Sequence, residues 1–168
     1  MVTAYSFLHH LFDIEPTLRT ASRALRSGGK FYADLEPNFY FWEAIKNLDP
    51  AVTYDNILVR EILSVTQKDE EIRQRFQVDK TTFNRAEYNK NITGGFREEY
   101  LRDQLWQAGF TTVEIIYYWY LGQAQAINDP SLTPELGISS AQRFGSLLEK
   151  GLPLTRHLFK YLGFVATR

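Results

Sequence analysis

The sequence predicts an α/β fold built on an open, largely parallel sheet, and three features of residues 2–42 carry that prediction. An apolar run ends in Leu8-His9-His10-Leu11, an amphipathic segment stops at Gly28-Gly29, and a second apolar run ends at acidic Asp34 and Glu36. Strand, helix and strand with such tight punctuation form the local unit of a parallel sheet. Sheets of this kind bind ligands just beyond the carboxyl ends of their strands, which directs attention to Tyr5–His10 and Asp34–Asn38.

Taken in order, Val2–Leu8 is apolar enough for a strand buried on both faces. Asp13 is placed to cap the next helix, and Pro16 falls in its first turn, where a missing N–H does no harm. Ile14, Leu18, Ala21 and Leu25 share one face at helical spacing, while Arg19, Arg23 and Arg26 lie elsewhere and suit the helix dipole. Gly28 and Gly29 supply a left-handed stop. Phe31–Leu35 reads as a short strand halted by Glu36-Pro37. Asn38 can cap a second helix with Phe41, Ala44, Ile45 and Leu48 in a stripe. The run Phe39-Tyr40-Phe41-Trp42 is too apolar for a single buried face, so part of it meets a ligand, an insertion or a second subunit.

Residues 49–92 are the hardest to read. Ile57, Leu58, Ile62 and Leu63 fit a helix or an extended segment, and Gln67–Gln77 fits a short solvated helix. Arg97–Ala108 is a helix with Leu101, Leu105 and Ala108 on one face and Gly109 as its stop. Thr112–Leu121 is a long β-branched and aromatic strand. Asn128–Gly137, with Pro130 and Pro134, reads as a loop. Ser139–Lys150 reads as a helix through Ala141, Phe144, Leu147 and Leu148, and Leu158–Thr167 as a closing strand.

At 168 residues the chain has the length of one domain. Its 44% hydrophobic and 23% charged residues are ordinary for a globular protein. A net charge of −1 leaves no electrostatic footprint for nucleic acid. The absence of cysteine excludes disulfides, thiolate metal sites and cysteine nucleophiles. No apolar stretch approaches the roughly 20 residues that span a bilayer. With no signal sequence visible, a cytoplasmic protein is expected. No H-x-x-x-H pair or local acid cluster points to a metal, and no G-x-S-x-G to a hydrolase.

The stretch AYSFLHHL…RALRSGGKFYADLEP resembles the fourth strand, following helix and fifth strand of class I S-adenosylmethionine-dependent methyltransferases. GGFREEYLRDQLWQAGFTTVEI, at 94–115, is similar to the helix and sixth strand of the same family. The resemblance implies a truncated Rossmann-like methyltransferase sheet in the order fourth, fifth, seventh, sixth, with an antiparallel last strand, flanking helices and a helical insertion. On this reading residues 1–168 are a single partial domain, the C-terminal part, and 49–92 is an insertion or lid-like segment. The family's Gly-rich cofactor turn and ribose-binding acid precede the fourth strand, and no G-x-G occurs in this chain.

The resemblance also assigns candidate residues. Tyr5 and Ser6 fall where the family meets S-adenosylmethionine, and His9 is placed to act as a base, its ordinary pKa lying near neutrality. The alternative for His9, as for His10, is to cap or pack the next helix. Glu36, Asn38, Tyr40 and Trp42 are candidates for contact with a small-molecule substrate, Asn38 equally for capping and the aromatics equally for packing. His157 lacks a partner at ligand spacing. The function implied is methyl transfer to a small molecule, weak or inactive in this chain alone. A non-catalytic binding or dimerisation module and one half of a split enzyme are the alternatives. Because an unpaired central strand exposes backbone N–H and C=O groups, Val2–Leu8 is expected to pair with a second copy or with a complementing N-terminal chain.

Overall fold

Val2–Tyr5 (β1), Lys30–Pro37 (β2), Thr112–Tyr120 (β3) and Phe159–Thr167 (β4) make one sheet in the order β1-β2-β4-β3. β1 runs parallel to β2, whereas β4 slots antiparallel between β2 and β3. This is the order, and the reversed last strand, that the methyltransferase resemblance implies. The computed structural model describes residues 1–168, apart from the side chains of Val65 and Thr66.

Paired rows build the core. Phe31 stands opposite Ala166, which stands opposite Val113, and Ala33, Phe164 and Ile115 form the next row. Against them pack Ile14, Leu18, Ala21 and Leu25 of the helix Glu15–Ala24 (α1) and its flanks, and Leu101 and Leu105 of a helix further along the chain. Each fully buried Leu, Ile or Phe among them contributes roughly 1.5–3 kcal/mol. The opposite face is half open, with Thr3 and Glu114 exposed and Tyr32 half-buried in one row, and exposed Tyr5 opposite half-buried Asp34 in the next.

The remaining elements follow in order. Phe39–Lys46 (α2), Asn56–Phe76 (α3) and Lys80–Ala86 (α4) precede a π-turn over Tyr88–Ile92. Glu98–Gln107 (α5) carries Leu101 and Leu105. Gln123–Ile127 (α6) and Pro134–Lys150 (α7) lead to the last strand.

Several expectations are corrected. β1 stops at Tyr5 rather than Leu8, because Ser6 turns left-handed at φ 47° and Leu8–His10 winds into a 3-10 turn. Nor is β1 buried on both faces, since Thr3 and Tyr5 are exposed. β2 continues through Glu36-Pro37, and the Pro37 carbonyl accepts the Phe96 N–H at 2.7 Å. The segment left open around residues 57–63 and the helix expected over residues 67–77 are one helix, α3, capped by Asp55 and ended by left-handed Gln77. Residues 128–137 are not all loop: Thr133 accepts the Leu136 N–H, Pro134 takes the first turn, and α7 starts there. α7 buries Ala141 and Leu148 on its inner face, leaving Phe144 and Leu147 exposed, and in α2 Ala44 is exposed while Phe41 is buried.

Candidate functional site

An irregularity in β2 creates the site. Its register against β4 shifts between Ala33 and Glu36, where Leu35 takes a left-handed φ of 53°. Such a bulge resets the two-residue alternation. Glu36 is thereby fully buried and Leu35 only half so. Its carboxylate lies under the turn that follows β1, where it accepts the backbone N–H groups of Phe7 at 3.0 Å, Leu8 at 2.8 Å and His9 at 3.0 Å. The same carboxylate lies 2.8 Å from Nδ1 of His9. A buried charge persists where it is met by donors in this way.

His9 is therefore held at both ends of its ring. Nδ1 faces Glu36, and Nε2 lies 3.4 Å from Oε2 of Glu87, which follows α4. Burial alone pulls the imidazole pKa down, but the hydrogen bonds to Glu36 and Glu87 outweigh it, and the pKa rises to about 9. Burial likewise pushes Glu87 up, yet His9 and nearby Lys90 hold it below the usual carboxylate range. At neutral pH His9 is thus a buried imidazolium. It holds and donates a proton more readily than it removes one.

These groups wall a cavity of about 390 Å³ at the carboxyl ends of β1 and β2, lined among others by Ser6, His9, His10, Trp42, Glu87 and Lys90. Trp42 brings an indole N–H that is buried without a hydrogen-bond partner. Lys90 pairs with Asp69 of α3 at 2.7 Å, so the 49–92 segment forms the outer wall of this cavity. A larger groove of about 720 Å³ lies beside β1, lined by Val2, Ala4, Phe7, Thr17, Ala21 and Phe31 among others. It is mostly apolar, with Thr3, Thr17 and Thr20 at its walls, and contains none of the histidines or carboxylates.

The sequence candidates fall into two groups. Ser6, His9 and Trp42 line the 390 Å³ cavity. Glu36, Asn38 and Tyr40 do not. Glu36 has no exposed surface and is spent on the turn. Asn38, also fully buried, accepts the Tyr40 N–H to cap α2 and donates to the carbonyls of Arg156 and Phe159 at 2.7 and 2.6 Å. Tyr40 donates its hydroxyl to Glu99 and lies under the Arg156 guanidinium, 3.5 Å from its ring centre. Burial and the Glu99 contact push its pKa up to about 12, keeping the hydroxyl protonated. Tyr5 is 69% exposed on β1, beside the apolar groove.

Glu87, Lys90 and Asp69 escaped sequence reasoning. They come from a segment whose helices were hard to read, far along the chain from the histidines, and no local spacing marks them. The described residues include no G-x-G turn. Glycines of positive φ do other work: Gly95, at φ 105°, lets the chain press against the Pro37 carbonyl, where a Cβ would sit 2.7 Å away.

No protein-family profile and no curated protein sequence matches the chain. Among solved structures, it is similar to phosphoethanolamine N-methyltransferase 2 of Haemonchus contortus in complex with S-adenosyl-L-methionine, at 12% identity and a TM-score of 0.44, over 99% of this chain and 32% of that one. The same enzyme with phosphomonomethylethanolamine and S-adenosylhomocysteine gives 12% identity and a TM-score of 0.42, over 99% and 33%. The chain thus spans about a third of the length of these solved chains.

Proposed function

We propose that this chain is the acceptor-side part of an S-adenosylmethionine-dependent methyltransferase acting on a small molecule. The observation that supports the reading is the sheet order β1-β2-β4-β3 with its antiparallel last strand, together with a polar cavity at the carboxyl ends of β1 and β2. When bound, the cofactor supplies the methyl group. The chain's own residues position and enclose: Ser6 and Trp42 wall the acceptor, and Lys90 with Asp69 ties α3 down to exclude water. His9 is oriented by Glu36 and meets an acceptor as a proton donor at neutral pH, acting as a base only as the pH nears 9. Tyr5 and Ser6 border the cofactor's side, and the rest of its grip comes from outside the described residues.

Calorimetric titration with S-adenosylhomocysteine tests the reading. Binding tighter than roughly 0.1 mM, about 5.5 kcal/mol, supports it. Binding that appears only when a second chain is added selects a split enzyme. No binding in either case leaves a non-catalytic module.

A second reading is carried by the free edge of β1. Beside it lies the apolar 720 Å³ groove, so β1 pairs with another chain, either its own copy or an N-terminal partner. Sedimentation velocity decides: a monomer at every concentration removes self-pairing.

A further inference from the structure

We propose that His9, His10 and Glu87 form a divalent transition-metal site, of the zinc class, at the mouth of the 390 Å³ cavity. The three residues bring one ligand atom each to within 4.8 Å of one another. Nε2 of His9 lies 3.4 Å from Oε2 of Glu87, and Nδ1 of His10 lies 3.4 Å from Oε1. Both separations lie at the long end of hydrogen-bonding distance. Glu87 turns one oxygen toward each histidine, and each separation leaves room for an ion about 2.1 Å from the nitrogen and the facing oxygen, the bond length zinc takes with such ligands.

The surroundings fit a ligand set. Glu36, fully buried, takes the Nδ1–H of His9 at 2.8 Å, which turns Nε2 toward Glu87. A carboxylate behind a histidine in this way fixes the tautomer and ring of a metal-binding imidazole, and the ion takes the place of the Nε2 proton that His9 carries in the metal-free protein, which is released on binding. Lys90 stays 3.8 Å from Glu87 while its charge is engaged by Asp69 at 2.7 Å. His10 is half exposed and exchanges its 2.8 Å hydrogen bond to the Ala86 carbonyl for the metal. All three ligands line the cavity, so a fourth position opens into it, as in sites that hold water or a substrate oxygen. Nothing in this requires the methyl-transfer reading, because the ion is bound by the chain without a cofactor.

The test is calorimetric titration of the tag-free, chelator-stripped protein with zinc chloride, repeated with cobalt(II) while visible absorption is followed. One ion per chain, at micromolar affinity or tighter, with tetrahedral cobalt bands, is expected. His10→Ala and Glu87→Gln should each weaken zinc at least about tenfold with unchanged far-UV circular dichroism; if one fails to fold, the other decides. No saturable binding by the unmodified protein overturns the site, and so does equal affinity in a folded variant. Zinc binding without S-adenosylhomocysteine binding, or the reverse, shows which proposal has failed.

Discussion

The Glu36 carboxylate lies 2.8 Å from Nδ1 of His9 and also accepts the N–H groups of Phe7, Leu8 and His9. One buried side chain on β2 therefore both shapes the turn after β1 and aims the imidazole. Position and chemistry are coupled at a single residue.

Glu36→Gln keeps the size but replaces one oxygen with an N–H₂ that faces donors. Leaving buried donors unmet beside His9 should cost about 3 kcal/mol. Urea denaturation measures it, and a loss below about 1 kcal/mol would show that the turn holds without this carboxylate.

Stability should depend on pH through the same cluster. The His9 pKa is raised from 6.5 to about 9, so its contribution is complete below 6.5 and lost as pH rises through 9. The Glu87 pKa is lowered, so its contribution is present above the ordinary carboxylate range and lost in acid. Thermal midpoints should peak between roughly pH 5 and 6.5. The alkaline loss should reach at most about 3 kcal/mol. His9→Gln should flatten the alkaline limb; a limb unchanged in that variant assigns it elsewhere.

Gly95→Ala should destabilise by about 2 kcal/mol or more. Its φ is 105°, and a Cβ there would meet the Pro37 carbonyl oxygen at 2.7 Å and the Phe39 nitrogen at 2.8 Å. Gly28, at φ 74°, has nothing within 4 Å of such a Cβ, so Gly28→Ala should cost only about 1 kcal/mol from backbone strain. Equal midpoint shifts in thermal melts would contradict the distinction.

Asn38→Asp preserves the cap acceptor and removes the amide that serves two carbonyls. The carbonyls of Arg156 and Phe159 would then face a carboxylate, at a cost of about 2–3 kcal/mol at neutral pH. Asn38→Ser, which also caps but leaves the carbonyls unserved, should fall between. If the aspartate variant unfolds at the same urea concentration as the parent, the two donated bonds contribute nothing.

Much of the fold was legible because local signals agreed with each other. The α1 face of Ile14, Leu18, Ala21 and Leu25 and the α5 pair Leu101 and Leu105 follow from helical spacing alone, and all are buried. The strand read over Thr112–Leu121 from its β-branched and aromatic residues, and the closing strand read over Leu158–Thr167, appear within a residue of those bounds as β3 and β4. The site was half legible. Ser6 and His9, named through the resemblance, and Trp42, named from an aromatic run, line the cavity, whereas Glu87, Lys90 and Asp69 reach it only through the packing of α3, α4 and the π-turn.

By itself the sequence determined the strand, helix, strand unit of residues 2–46 and the α5 to β3 pair, and with the methyltransferase resemblance the order of the strands in the sheet, because periodicity and caps act over a few residues. Only the tertiary structure decided that Glu36 turns inward and that His9, His10 and Glu87 meet. A bulge costs one residue of register that no local pattern reports, and charges distant in the chain attract one another only after the apolar core has brought them close.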